Sequence, residues 1–569
     1  MTCTVAIIGC GPAGMFFLHA LALRRQKLIE EGNEEAIKAL PQVTCFERSG
    51  SPGGVWRADR NASETNMYEA LWTNGAKEAI EFPDYTFDEH FKRALPMYMP
   101  REHILDYIFA RCTRNNPTFF DNVKFNTSVK SVKYSDEKQK FVIQTIDLKS
   151  QSESEEFFDK CIWAAGDNGK PYVPKRISNI LSSGGFKGDA LHSCVAGNDF
   201  DKLVEGKKIL FVGDSYSAED LALQAIKLGV KKVHVLSRSG WGVVCGTKSW
   251  PRDCVRVHEF YEITGVSSDG RGIVIENKQE DVEMTLKDID TVIYSTGYSG
   301  NFDMLDPSLR LYDENDDEEP NYFKDYEGFE KFKNDFKMKK NHMTEVLGDV
   351  PLGEITDYWM THPGVYRGHL MSNPNMMFYL ERVDAPLFDI DIQSWLLLAH
   401  ITGDLSLPSV KEMKEFNMVT FADELQDPYV RTEIDANYEE AWEESSELED
   451  DDHWFNQWGN ERSREMDKFH AILQYRIMAR DAADAKYPLD LGTYDELNEK
   501  GKALVEIDLI SFAAHQTELV EGSTFRDYIP KTVLSVMTGT KAVPLKRPWL
   551  KLEGESLDDI CGNYDGIAN

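Results

Sequence analysis

Short runs of consecutive apolar residues, several of them closed by a glycine turn, recur along the chain and predict buried parallel strands. Val5-Ala6-Ile7-Ile8 is the first. It has no polar alternate and is too short to read as a helix. It runs into Gly9-Cys10-Gly11-Pro12-Ala13-Gly14, after which Met15, Phe16, Leu18, Leu21 and Leu23 give the apolar face of a helix. A charged, helix-prone segment, 24–39, delays the second strand, Val43-Thr44-Cys45-Phe46. Further strands are predicted at Phe141-Val142-Ile143 and over 157–163, the latter running into Ala164-Ala165-Gly166. A second strand–turn–helix unit begins at Lys208-Ile209-Leu210-Phe211-Val212, and Lys232-Val233-His234-Val235-Leu236 is the strand after it. Thr291-Val292-Ile293-Tyr294 is another apolar strand; from about Ser409 the composition predicts helices packed around what precedes.

The glycine turns carry the first chemistry. In G-x-G-x-x-G between a strand and a helix, the first glycine permits the tight turn and the second lets backbone approach a pyrophosphate. The third lets helix pack on strand, while the helix N-terminus offers unspent N–H groups and a partial positive charge. Gly9, Gly11 and Gly14 fit that pattern in its structural context, with Pro12 suited to the first helical turn. Glu47 ends the second strand, where an acid hydrogen-bonds a ribose hydroxyl; it lies further on than usual, which requires an insertion. The loop Ser49-Gly50-Ser51-Pro52-Gly53-Gly54-Val55-Trp56 allows close backbone approach and ends in a flat apolar wall. The second unit, Gly213-Asp214-Ser215-Tyr216-Ser217-Ala218, is a variant with serine at the middle glycine and alanine at the third. Its following strand ends in Ser237-Arg238-Ser239 rather than an acid, and an arginine there can hold the 2′-phosphate of NADP. Two such units predict an α/β chain with two Rossmann-like dinucleotide-binding domains and a helical C-terminal extension.

Charge narrows the partners. A net charge of −34 argues against nucleic acid and anionic membrane. Acid is concentrated in runs at 313–319 and 439–452, read as solvated faces rather than metal sites. Nine cysteines with no C-x-x-C pair fit reduced thiols. The immediate entry into a strand leaves no room for a signal peptide, and no run of about 18 apolar residues predicts a membrane span. The expectation is a soluble, cytoplasmic protein without a metal. The irregularly spaced His342, His362 and His369 do not change it.

Glu47 with Gly53-Gly54 and Trp56, then Trp72-Thr73-Asn74 and Phe82-Pro83-Asp84-Tyr85, resembles the flavin-containing monooxygenases, and 84–91 resembles their bacterial trimethylamine-oxidising members. Phe186-Lys187-Gly188 followed by His192 matches the family signature F-x-G-x-x-x-H. The aromatic normally four positions later is replaced by Ala196, with Phe200 beyond. His192 is read as bracing the junction between domains. Thr296-Gly297-Tyr298 is similar to the family's link back to the first domain, and 373–379, 393–395, 524–527 and 537–540 keep the register. The resemblance extends over nearly the whole chain, interrupted by an insertion around 305–364 and the acidic run.

The resemblance implies an FAD domain in two parts, 1–170 and 296–408, an NADP domain inserted at 171–295, and a mainly helical region at 409–569. The cofactor contacts it implies are Gly9, Gly11, Pro12, Ala13, Gly14, Glu47, Ser49, Gly54, Val55, Trp56, Trp72, Asn74, Val129, Ala165, Gly166, Gly213, Ser215, Tyr216, Ser217, Ala218, Arg238, Ser239, Thr296 and Gly297. Asn74 and Tyr216 are the implied catalytic residues, the first beside the flavin and the second facing the nicotinamide and substrate. NADPH would reduce FAD, O2 would form a C4a-hydroperoxide, and a small amine or sulfide would attack it; no nucleophilic triad is needed. Where the trimethylamine-oxidising members carry an aromatic-rich stretch, this chain has the shorter 382–388 without a tryptophan, which leaves the substrate open. A Baeyer–Villiger monooxygenase and a flavin- and NADPH-binding protein without turnover stand as alternatives. Homodimerisation is implied by the resemblance alone.

Overall fold

A wholly apolar strand needs cover on both faces, and Thr4–Ile8 receives it in the middle of a seven-stranded sheet. It pairs in parallel with Gln42–Phe46 on one side and Lys160–Trp163 on the other. Met376–Phe378 continues in parallel, an antiparallel pair (Val365–Tyr366 with His369–Leu370) closes that edge, and Val123–Lys124 closes the other. Alternate side chains of the central strand serve different cores. Val5 and Ile7 meet the helix Pro12–Glu30, whose Met15, Phe16 and Phe17 are fully buried. Each phenylalanine contributes roughly 1.5–3 kcal/mol by burial. Ala6 and Ile8 face Val132, Phe141 and Phe158 of an antiparallel sheet formed by Thr127–Ser135, Lys140–Asp147 and Glu153–Phe158. The structure, a computed structural model, describes residues 2–57, 80–92, 101–166, 170–195, 200–237, 254–277, 279–299, 301–310, 364–379, 386–424 and 477–489, with 71, 73, 99 and 474.

The second nucleotide-type unit builds a separate five-stranded parallel sheet in the order Val255–Glu259, Lys232–Ser237, Lys208–Val212, Thr291–Tyr294, Asp189–His192. The helix Tyr216–Lys227 buries Ala218, Leu221, Ala222 and Ala225 on one side of it. An antiparallel sheet (Tyr261–Val266, Ile273–Asn277, Val282–Leu286) and the helix Lys175–Ser183 cover the other. The chain crosses between the two parallel sheets twice, and the crossings pair: Lys170–Pro171 lies antiparallel to Tyr298–Ser299.

Two sequence-based elements come out differently. The single strand over 157–163 is two strands, Glu153–Phe158 and Lys160–Trp163, in different sheets. Asp159 pins the break, its Oδ2 accepting from Thr4 N at 2.8 Å and Thr4 Oγ1 at 2.7 Å. The helix-prone segment 24–39 divides as well: the first helix runs to Glu30, and Asn33 caps a new one, Glu34–Ala39, by accepting from Ala36 N at 3.1 Å. That short helix fills the extra distance to Glu47. Most of 305–364, both acidic runs, Trp442, Trp454, Trp458, 382–385 and the motifs beyond 489 lie outside the described residues. No described helix is long and apolar enough to cross a membrane.

Candidate cofactor and active site

Backbone crowding sets the first turn. Gly9 leaves its strand at φ +103°, and a Cβ there would stand 2.6 Å from the Ala164 carbonyl oxygen. At Gly14 a Cβ would stand 2.2 Å from the Gly9 carbonyl oxygen, so helix and strand meet only without a side chain. Gly11 is different. The nearest atom to a Cβ there would be Gly54 Cα at 3.5 Å, while a Cβ on Gly54 would lie 3.0 Å from Gly11 Cα. The two residues face each other and leave a surface free of side chains at the N-terminus of Pro12–Glu30, whose cap residue Gly11 has no side chain to occupy the first-turn N–H groups. Pro12 and Ala13, half-buried, open that helix.

Glu47 is drawn against this turn. Its buried carboxylate accepts from Cys10 N and Ser49 N, each at 2.8 Å, tying the glycine turn to the following loop. Gly53 N donates to Cys10 O at 2.8 Å, and Gly53 and Gly54 take positive φ (+114° and +55°) to bring Val55 and Trp56 alongside. Arg57, which sequence reading missed, is buried and its Nε donates to Gly54 O at 3.3 Å. Thr127 N donates to Glu47 O at 2.9 Å; Val129, two residues on, is half-buried against the cluster containing Phe46. Ala164 N closes on Ile8 O at 2.9 Å, and Ala165 and Gly166 emerge exposed beside the turn, Gly166 at φ +77°. Cys10 also meets Cys45. A hydrogen bond to Cys10, with burial, pushes the Cys45 thiol up, so Cys45 stays protonated and unreactive.

The second turn repeats the construction. Gly213, at φ +99°, donates to Leu236 O at 3.1 Å, and a Cβ there would stand 2.3 Å from Ser295 O. Ser215 caps Tyr216–Lys227 in extended geometry without a side-chain cap bond. Ser215 and Tyr216 are exposed, Ser217 is half-buried, and Ala218 packs fully inside. Gly297, at φ +78°, accepts from Tyr172 N at 3.0 Å and from His192 Nε2 at 2.8 Å, and Thr296 Oγ1 donates to Tyr172 O. Because Cys194 N donates to His192 Nδ1 at 3.2 Å, the imidazole proton sits on Nε2. Burial keeps that ring below the usual histidine range, hence neutral. His192 therefore joins the end of Asp189–His192 to the returning crossover.

Trp72, Asn74, Arg238 and Ser239 lie outside the described residues. On both sides of Trp72 the backbone is fixed: Leu71 O accepts from Arg101 N at 3.1 Å, and Thr73 N donates to Met99 O at 2.9 Å. Thr73 Oγ1 accepts in turn from Met99 N at 2.9 Å, a role no sequence pattern marks. The arrangement brings Gly9 to Gly14, Glu47, Ser49, Gly54 to Trp56 and 164–166 to the carboxyl end of one parallel sheet. It brings Gly213 to Ala218 with Thr296 and Gly297 to the carboxyl end of the other. That is where α/β sheets receive nucleotides.

Comparison with known proteins agrees. Residues 3–266 match the family model described as flavin-binding monooxygenase-like. The trimethylamine monooxygenase of Pelagibacter sp. (strain HTCC7211) is 35% identical over 317 residues, 54% of this chain and 63% of that protein. The chain thus spans 63% of the length of that curated relative. Among solved structures, Tmm from Pelagibacter sp. strain HTCC7211 superposes with a TM-score of 0.66 at 24% identity, covering 98% of this chain and 99% of the other. The S-allyl-L-cysteine S-oxygenase from Allium sativum gives 0.50 at 19% identity over 89% and 99%. The sequence match to the Pelagibacter relative covers 54% of the chain, whereas the structural superposition on Tmm covers 98% of it. Residues 3–266 are thus similar to the flavin-binding monooxygenase-like family, in keeping with the resemblance read from the sequence.

Proposed function

We propose that the protein is an FAD- and NADPH-dependent monooxygenase that N- or S-oxygenates small soft nucleophiles of the trimethylamine or dimethyl sulfide kind. The observation that carries the reading is the pair of glycine turns at the carboxyl ends of two parallel sheets in one chain. Segments 1–170 and 296–408 hold FAD, 171–295 holds NADPH, and 409–569 packs outside. The residues present fit the first cofactor. The Gly11–Gly54 turn offers a pyrophosphate backbone without side chains, the helix N-terminus favours its charge, and Glu47 stands where a ribose hydroxyl needs an acceptor. Val55, Trp56, Trp72, Val129, Ala165 and Gly166 flank the bound group.

The second turn fits NADPH with less room, because Ser215 replaces the middle glycine. Ser217, Thr296 and Gly297 line its approach, and Arg238 with Ser239 holds the 2′-phosphate. When bound, FAD would supply the redox chemistry that couples NADPH oxidation to transfer of one oxygen atom of O2 to an amine nitrogen or sulfide sulfur, the other leaving as water. The protein positions and shields. Tyr216 presents its ring toward the nicotinamide, and the Asn74 amide donates a hydrogen bond without adding a titrating group. The test is NADPH oxidation by the holoenzyme in air with trimethylamine or dimethyl sulfide, with product identified by mass spectrometry under labelled O2. One labelled N-oxide or sulfoxide per NADPH is the expected result. Hydrogen peroxide as the sole oxygen product, or lactone from a cyclic ketone in place of N- or S-oxide, would overturn it.

A further inference from the structure

Two imidazoles that the proposed reaction does not use meet at the far end of the second parallel sheet. His234 and His258, on adjacent strands, face each other Nδ1 to Nε2 at 2.9 Å with their rings 26° from parallel. Whichever ring donates, the pair keeps one N–H and one lone pair outside that bond. They form part of the wall of an open cavity of about 490 Å³. Lys208 and Lys232 start their strands and, with Lys231 just before the second, line it together with Arg256 and Lys287. Met284 and Leu286 add apolar lining, and Thr285 lies between them along the strand. Among the described residues no carboxylate lines the cavity; Asp288 lies outside, 3.1 Å from Lys208 Nζ.

Five cations, of which Lys208 is paired with Asp288, line one cavity of a chain whose net charge is −34 and make it locally basic. The imidazoles register that field. Burial, then Lys232, Arg256 and Lys208, hold His234 down at about 4; burial, then His234, Arg256 and Lys232, hold His258 at about 3. The place is distinct from the nucleotide turn. Lys208 and Lys232 are register partners at the amino ends of their strands, and Gly213 lies five residues on, roughly 16 Å away along the strand.

We propose that this cavity is a second anion site that takes a di- or triphosphate chain, free or carried by a nucleotide. Phosphate chains match the donors: ammonium groups as point charges, the Arg256 fork for two oxygens at once, and the Thr285 hydroxyl with the remaining imidazole N–H for the rest. The cavity is large enough for more than a single phosphate, and its apolar lining suits a base or sugar. The inference is independent of the monooxygenase reading.

The test is titration calorimetry of the full-length holoprotein with inorganic pyrophosphate, in parallel with ADP, at fixed ionic strength and without added NADP⁺. The expected result is binding of pyrophosphate or ADP at one per chain. Arg256→Glu and Lys231→Glu should each weaken it by at least about tenfold, since a charge-assisted bond is lost. Both side chains are exposed, so the melting temperature should hold. Tighter binding of ADP would identify the nucleotide source; equal binding would identify the bare chain. No binding, binding indifferent to both substitutions, or an equal response to sulfate would overturn the proposal.

Discussion

A single missing Cβ decides the backbone path at Gly14 and again at Gly213. Both are fixed by contact with backbone carbonyls, at 2.2 Å from Gly9 O and 2.3 Å from Ser295 O for an added Cβ, which no rotamer change relieves. Overpacking of this kind typically costs about 1–3 kcal/mol. Gly14→Ala should therefore lower flavin occupancy, read as the visible absorbance per chain, together with the melting temperature. Gly213→Ala should leave flavin content near wild type and weaken NADPH binding, read by anaerobic titration. If Gly213→Ala emptied the flavin site as fully as Gly14→Ala, the assignment of one cofactor to each turn would fail. These glycines are legible in the sequence because turn, strand and helix are contiguous there. Arg57 and Thr73 are not, because each acts through a backbone partner that no periodicity marks.

At the scale of elements, the helix Arg101–Thr113 is tied to Pro386–Thr402 by charge as well as by packing. Arg111, 2% exposed, donates to both oxygens of the fully buried Asp391 at 3.1 and 2.9 Å and reaches Asp84 at 3.0 Å. Tyr487 donates to Asp391 from a third segment. Removing Asp391 leaves the buried Arg111 with Asp84 alone, and losing one partner of a buried pair costs up to about 3–5 kcal/mol. Asp391→Ala should accordingly lower stability by that order in urea unfolding, whereas Glu156→Ala, facing the exposed Lys124, should cost no more than about 1 kcal/mol. Equal losses would show that the buried network does not hold the helices together. Nothing local announces this network. Arg111 and Asp391 are 280 residues apart, and each looks like an ordinary polar residue in an apolar helix. The division of 157–163 between two sheets was hidden similarly, since Asp159 acts through Thr4 at the other end of the domain. Apolar runs were legible because burial needs only composition; polar clamps were not, because they need a partner from elsewhere.

For the molecule as a whole, buried histidines set the response to acid. Burial is the largest cause in each case: it holds His19, His234 and His400 down at about 4, and His258 and His369 at about 3. His369 and His400 direct Nδ1 at the Pro374 and Leu405 carbonyl oxygens, so both are neutral N–H donors there. Above the unfolded histidine pKa of about 6.5, folded and unfolded chains are alike neutral at these positions, and they impose no penalty. Below it the unfolded chain gains protons that the folded chain does not, down to pH values near 4. Stability must then fall with pH, by about 1.4 kcal/mol per unit for each imidazole that stays neutral. Five such groups acting together are large against the 5–15 kcal/mol that holds most domains folded. Protonation of carboxylates also reduces the self-repulsion of a chain at −34, an opposite effect that is spread over the surface and screened by salt. The imidazoles should prevail at moderate ionic strength. Urea unfolding between pH 7.5 and 5 should show a plateau, then a continuous decline beginning near 6.5. His19→Gln should make the decline shallower by one proton's worth. A profile flat to pH 5 would mean that these rings accept protons in the folded state, and that their surroundings are more open than the packing around them implies.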